Sequence, residues 1–270
     1  MTDIAAVIGH PVGHSLSPVI HEFWLKEKKI AGEYRKHDVS PSELRDTVLR
    51  MRVEGYAGLN VTLPHKEAVV DLCDELSDAA HAIGAVNTLV FANKKIYGDN
   101  TDAEGFAENL QAVVGEQEFH TATIIGAGGA ARAVVFALMQ LGVQDFVVMN
   151  RDLARAEKLL TDLHANGRAA ALDAPLAKTD ILVNCTSLGM KGQPPLNPNL
   201  SPLGKNTVVA DIVYQPLQTP LLAQASRRGH RVVDGLGMLM EQAAAAFEQF
   251  YGAEAGSMVK LRELLEQRLG

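Results

Sequence analysis

Apolar residues fall along this chain in short runs bounded by turn residues, alternating with stretches of helical period. Ile4–Ile8 is apolar throughout and stops at Gly9, the pattern of a buried strand. Ser17-Pro18 then sets a capping hydroxyl and a proline at the start of a helix reaching about Lys28. Tyr34–Val39 reads as a second strand, and Ser40-Pro41 repeats the helix-start device. Gly58–Val61 predicts a third strand, followed by a helix over 64–76. Thr88–Ala92 and Lys95–Tyr97 predict a hairpin across Asn93.

The pattern changes near residue 102. A helix at 103–114 leads into strand Thr121–Ile125, helix Ala130–Leu141, strand Phe146–Met149 and helix Leu153–His164. Strands Ile181–Asn184, Val208–Ile212 and Arg231–Val233 follow, with a Gly/Pro-rich surface loop at Gly189–Pro202. Strands alternating with helices predict α/β architecture, and this succession predicts a doubly wound nucleotide-type domain. From Met238 the tail carries two helices split near Gly252–Gly256. The expectation is two domains with a cleft between them: an α/β substrate domain at 1–102 plus 239–270, and a doubly wound Rossmann-type dinucleotide domain at 103–238.

Charge narrows the possible partners. With 25 Lys and Arg against 32 Asp and Glu, the net charge of −7 disfavours a nucleic-acid partner, because an acidic surface repels phosphate backbones. Cys73 and Cys185 form no CxxC pair, which points to a reducing compartment without a disulfide frame. The longest apolar run, Ala133–Met139, falls far short of the ~20 residues of a spanning helix. The expectation is a cytoplasmic protein, off the membrane, acting as a monomer or homodimer. No metal is expected: there is no HExxH, and His10 and His14 flank Pro11 and Gly13 rather than share a helix face.

Gly126-Ala127-Gly128-Gly129-Ala130-Ala131 fits GxGxxG/A between a predicted strand and helix. Gly126 permits the tight turn, Gly128 lets backbone amides approach a pyrophosphate, and Ala131 lets the helix lie close to the strand. The helix N-terminus adds unpaired N–H groups and a positive dipole end. The next strand ends about 20 residues on, where an NAD enzyme places a carboxylate for the ribose hydroxyl. Here stand Asn150 and Arg151, with Arg155 four residues further on the same helix face. Guanidinium forks suit a 2′-phosphate, so NADP is favoured. Asp152 beside them opposes that phosphate unless it turns toward Arg155.

Four polar clusters lie at predicted strand ends and loops: 15–17, 60–66, 84–88 and 98–102. Hydroxyls, amides, one lysine and one aspartate suit a small polyhydroxylated molecule. SLSP at 15–18, NVTLPHK at 60–66, GAVNT at 84–88, GDNTD at 98–102, GAGGAAR at 126–132, NR at 150–151, NCTSLGM at 184–190, DIVYQP at 211–216 and DGLGMLMEQ at 234–242 together resemble the shikimate dehydrogenase family over the whole chain. The resemblance implies reversible, NADPH-dependent reduction of 3-dehydroshikimate to shikimate, a step of chorismate and aromatic amino-acid biosynthesis. It implies Ser15 and Ser17 on the substrate carboxylate, Thr62, Asn87, Tyr214 and Gln242 around the rest, and Lys66 with Asp102 as catalytic pair. It further implies cofactor contacts at Ala127, Ala130, Asn150, Arg151, Arg155, Thr186, Ile212 and Gly235, with Asp78 on the cofactor side.

Ketone reduction needs a hydride, which the cofactor supplies, and a proton for the new alkoxide. Lys66 suits that second role, since an ammonium also stabilises developing negative oxygen. Asp102 would hold Lys66 in place. Competing readings make Lys66 a solvated residue in the first turn of a helix and Asp102 only a helix cap. His65 is adjacent but would point elsewhere on a helix. Two other functions fit parts of the pattern: a quinate/shikimate enzyme using NAD, and a non-catalytic NADP-binding redox sensor, which would need neither Lys66 nor Asp102.

Overall fold

The computed structural model describes residues 3–269. The chain divides into two compact units, Met1–Asp102 with Gln242–Leu261, and Ala103–Glu241 with Arg262–Gly270.

The first unit runs β1 (Asp3–Gly9), α1 (Ser17–Lys28), β2 (Gly32–Asp38), α2 (Leu44–Val53), β3 (Gly58–Val61), β4 (Glu75–Leu76), α3 (Asp78–Ile83), β5 (Thr88–Ala92) and β6 (Lys95–Asp99). Its strands form one sheet in the order β2-β1-β3-β5-β6-β4. β1 pairs in parallel with β2 and β3, whereas β5 is antiparallel to both β3 and β6. The uninterrupted apolar run of β1 has a direct cause: both faces are covered. Ala6 and Ile8 pack with Val48 and Met51 of α2, while Ala5 and Val7 pack with Tyr34, Ala246 and Phe250. A strand buried on both faces loses the apolar–polar alternation. The β5–β6 hairpin turns at Asn93 and Lys94 with φ of 51° and 65°, the left-handed pair that matches strand twist.

Two local expectations for this unit fail, and a third is borne out in a shorter form. No α-helix forms over 64–76; the segment is a run of turns with one short 3-10 helix, Val70–Leu72, ending in β4. In a helix the Lys66 carbonyl would accept from Val70, but it accepts from Val86 N at 2.8 Å, and Asp74 N donates to Ile96 O at 2.8 Å. Pairing with the sheet overrides the helical spacing. Ser17 does not cap α1: it is the first helical residue, Leu16 holds the cap position, and the Ser17 hydroxyl is engaged by Ser15 at 3.2 Å. Ser40-Pro41 opens a short 3-10 turn, Pro41–Glu43, before α2. The six-residue helix α3, capped by the Ser77 hydroxyl on Ala80 N, was not legible in the pattern.

The second unit runs α4 (Asp102–Val114), β7 (Thr121–Ile125), α5 (Gly129–Gln140), β8 (Asp145–Asn150), α6 (Leu153–Asp162), β9 (Gly167–Ala171), β10 (Ile181–Asn184), β11 (Val208–Asp211), α7 (Pro220–Arg227) and β12 (Arg231–Val233). All its strands are parallel, in the order β12-β11-β10-β7-β8-β9, the doubly wound Rossmann succession with its reversal between β7 and β10. The loop at Gly189–Pro202 carries no regular structure, yet Leu196 and Leu200 are buried with Leu182, Val209 and Leu221. It covers the sheet where a crossover helix would stand.

Two helices complete the chain, α8 (Gly235–Tyr251) and α9 (Met258–Leu269). α8 starts three residues before the expected Met238, because Asp234 Oδ1 accepts from Leu236 N at 3.0 Å and Gly237 N at 3.3 Å. Residues to Glu241 belong with the second unit and those from Gln242 to Leu261 with the first. Among the described residues no helix is long and apolar enough to cross a membrane.

Candidate active site

Register brings the polar clusters of the first unit to one edge of its sheet. Asn60 pairs with Thr88, and Thr88 with Asp99, so the antiparallel hairpin returns the start of β5 and the end of β6 to the carboxyl end of β3. Lys66 lies on the turns after β3, and its Nζ forms an ion pair with Asp102 Oδ2. The two side chains are 12% and 6% exposed. Lys66 is thus not in the first turn of a helix, and the solvated-lysine reading has no structural basis. Asp102 opens α4, but both carboxylate oxygens are engaged by side chains: Oδ1 accepts from Asn87 Nδ2 at 3.0 Å.

Asn87 is the hub. Its Nδ2 also donates to Thr101 Oγ1 at 2.9 Å and to Gln242 Oε1 at 3.4 Å. Its Oδ1 accepts from Thr101 N and Thr88 Oγ1, each at 2.9 Å. The carbonyl of Gln242 accepts from Thr101 Oγ1 at 3.0 Å, which fixes the start of the returning α8 segment here. Ser15 and Ser17 are joined by their hydroxyls after β1, and half-buried Thr62 follows β3 with its methyl where a Cβ on Gly9 would fall. His65 is buried and turned away, its Nε2 on Val39 O at 2.7 Å. The structure therefore gathers Lys66, Asp102, Asn87 and Gln242 in direct contact. Asn60, Thr88, Asn100 and Thr101 support them and were not singled out beforehand. Their presence in the quoted clusters was the only signal, since hydroxyls and amides at strand ends are equally common as turn formers.

In the second unit the strand order reverses between β7 and β10, where a doubly wound sheet opens its ligand crevice. Gly126 follows β7 with φ of 111°, and a Cβ there would lie 2.9 Å from Thr186 Cγ2. The turn is thus packed against the loop after β10 and tolerates no side chain. Gly128 caps α5, and a Cβ on it would meet nothing within 4 Å, so there is open space beside the start of α5. Ala127 and Gly129 are buried and Ala130 half-buried beside them. Thr186 is held by Asn184, whose Oδ1 accepts from the Thr186 hydroxyl at 2.7 Å and from its N–H at 3.0 Å. Asn184 Nδ2 in turn donates to Asp211 Oδ1 at 2.8 Å. Burial pushes the Asp211 carboxyl up to about 6, despite hydrogen bonds from Thr219, Val213 and Asn184. Gly235 packs on the backbone of Ile212 and Val213, where a Cβ would collide with the carbonyls.

Arg151 and Arg155 are exposed at the start of α6. Asp152 caps that helix, with Oδ1 accepting from Ala154 N at 3.0 Å and Arg155 N at 3.4 Å. Its carboxylate is spent on the backbone, and Asn150 Nδ2 donates to its carbonyl at 2.8 Å. Tyr214 is half-buried after β11 in the second unit, and Asp78 is exposed in the first turn of α3 in the first. Among the described residues no group of three or more His, Cys, Asp or Glu could hold a metal ion.

The geometry of both units is shared with known proteins. The family profile described as "Shikimate dehydrogenase substrate binding domain" matches residues 7–89, and that described as "Shikimate / quinate 5-dehydrogenase" matches residues 108–190. A protein of Methylobacterium radiotolerans named shikimate dehydrogenase (NADP(+)) is 49% identical over 270 residues, covering 97% of this chain and 96% of its own. The shikimate 5-dehydrogenase of Thermus thermophilus, solved with NADP(H) and shikimate, aligns with a TM-score of 0.88 at 35% identity over 100% of both chains. The quinate dehydrogenase of Corynebacterium glutamicum, solved with NAD, aligns at 0.87 and 31% identity over 98% of this chain and 99% of that one. The backbone is common to shikimate and quinate enzymes, so the profiles over both units and the identity along nearly the full length decide the matter: the chain belongs to the shikimate dehydrogenase family.

Proposed function

We propose that this protein interconverts 3-dehydroshikimate and shikimate with NADP, in the shikimate pathway, and that Lys66 and Asp102 are its catalytic pair. The observation that carries the reading is the nearly buried Lys66–Asp102 ion pair amid hydroxyls and amides. Two charges out of water need a reason, since desolvation costs several kcal/mol per ion. Transition-state stabilisation supplies one.

Ser15 and Ser17 receive the substrate carboxylate, and Thr62, Asn87 and Gln242 take its ring oxygens. When bound, NADPH supplies the hydride that reduces the ketone carbon. The Lys66 ammonium stabilises the oxygen as negative charge develops on it and delivers the proton from Nζ. In the reverse direction the same nitrogen takes the proton back. Asp102 orients Lys66 and keeps its charge compensated, and Asn87 holds the other carboxylate oxygen. The amides at the start of α5 suit a pyrophosphate, and Arg151 with Arg155 suits the 2′-phosphate. Thr186, Ile212 and Gly235 shape the backbone at the sheet's reversal, beside that site.

Initial rates with shikimate and quinate, each against NADP and NAD, test this by absorbance of the reduced nicotinamide. Shikimate with NADP is expected to be the fastest pair. A preference for quinate with NAD would move the protein to the other branch of its family. Tight NADPH binding without turnover of either would make it a sensor.

A further inference from the structure

We propose that Tyr34 is a positioning residue for this reaction, tied to the carboxylate of Asp102 through one buried chain of hydrogen bonds. The inference rests on the roles given above to Lys66 and Asp102.

The chain has a direction. It begins at the phenol of Tyr34, on β2. The phenol donates to Asn60 Oδ1 at 2.6 Å. Asn60 Nδ2 donates to Thr88 Oγ1 at 3.1 Å, and Thr88 Oγ1 to Asn87 Oδ1 at 2.9 Å. Asn87 Nδ2 donates to Asp102 Oδ1 at 3.0 Å, and Lys66 closes on the other oxygen. Each hydroxyl has one proton to give, so each link commits the next.

Tyr34 is built to hold one position. It is 3% exposed, and its ring lies on His21 with centroids 3.9 Å apart and planes 9° apart. Neither ring nitrogen of His21 has a hydrogen-bond partner among the described residues, and burial pushes its pKa down to about 3. His21 is therefore a neutral platform, not a rival for the phenol. The phenol's bond to Asn60 fixes that amide, and the buried chain passes the orientation on to Asp102, since low dielectric makes such bonds respond to one another.

Tyr34→Phe keeps the ring and its stacking and removes only the hydroxyl, orphaning Asn60 Oδ1. In the full-length enzyme, kcat for shikimate at saturating NADP should fall about 3- to 10-fold, the worth of one net hydrogen bond, with the KM for NADP unchanged. In an Asp102→Asn background the same substitution should have little further effect, because the chain then ends on no carboxylate. Thr88→Val, which cuts the chain two links further on while keeping shape, should reproduce the loss of kcat. That variant decides the matter if Tyr34→Phe does not fold. Unchanged kcat in folded Tyr34→Phe, equal losses with and without Asp102, or a normal Thr88→Val enzyme would each overturn the role of Tyr34. Wild-type enzyme inactive on shikimate would overturn both this proposal and the reading beneath it, and the wild-type control distinguishes the two.

Discussion

At the polar centre of the first unit the ionised groups, Lys66 and Asp102, are buried and paired with one another; in the second, Arg151 and Arg155 stand on the surface and the buried polar centre after β10 and β11 is a set of amides and hydroxyls around Asp211. Lys66 and Asp102 are 12% and 6% exposed, whereas Arg151 and Arg155 lie on the surface. Asn87 clamps Asp102 from the side, as Asn184 clamps Asp211. The two clamps serve different ends. A charge already desolvated and oriented acts on the transition state with little reorganisation. An exposed guanidinium keeps its hydration until a phosphate replaces it, and so contributes to affinity rather than to rate.

The largest expected effect tests the first half of that contrast. Lys66→Ala should lower turnover by about 10²–10⁴ with a smaller change in shikimate KM, since Ser15, Ser17, Thr62 and Asn87 still hold the ground state. Asp102→Asn added to it should cost little more, as two members of one unit are not independent. Near-normal turnover with a large rise in KM would reduce Lys66 to a binding residue, like the arginines.

Asp211 probes the buried centre of the second unit. Its folded-state carboxyl lies at about 6 against an ordinary 3.8, so the folded chain holds the proton more tightly. That contribution is complete below about pH 4 and is lost as pH rises through 6, amounting to roughly 3 kcal/mol for a shift of this size. Chemical denaturation across pH 4 to 7 should show stability declining over that window in the wild type and a flatter profile in Asp211→Asn. A wild-type profile that rises instead would mean the hydrogen bonds to the carboxylate outweigh its burial.

Arg151→Ala should weaken NADP by about 10-fold or more while leaving NAD nearly untouched, because only NADP offers the extra phosphate to a charge-assisted hydrogen bond. Equal losses for both cofactors, measured by fluorescence titration, would remove the arginine from phosphate recognition. The smallest effect belongs to Asp152. Its carboxylate already caps α6, so Asp152→Thr retains a cap and removes one negative charge, raising NADP affinity about twofold. No change at all would mean the capped charge does not reach the phosphate.

Legibility followed the range of the interactions. β1, β3, β7 and β10 were readable because strands buried on both faces are predominantly apolar. The Gly126 turn was readable because its chemistry is local. β9 was not: Gly-Arg-Ala-Ala-Ala has neither alternation nor β-branched residues, and only pairing with β8 makes it a strand. α7 was missed although Thr219-Pro220 is the same start signal as Ser40-Pro41, with the Thr219 hydroxyl accepting from Leu222 N. The residues at 64–76 were misread because a helical spacing was present and the competing partners, Val86 and Ile96, lie far along the chain.

By itself the sequence determined the motifs, their order, the alternation of strands and helices, and the family to which they point. Those depend on residues a few positions apart, whose geometry backbone sterics and capping chemistry already restrict. Only the tertiary structure decided that Lys66 is held on a turn rather than a helix and that Tyr34, Asn60 and Asn87 form one chain to Asp102. Lys66 and Asp102 are 36 residues apart, and Tyr34 and Asn60 are 26 apart. Such pairs exist only once strand register is set, and a slip of one residue would turn Tyr34 or Asn60 to the other face of the sheet.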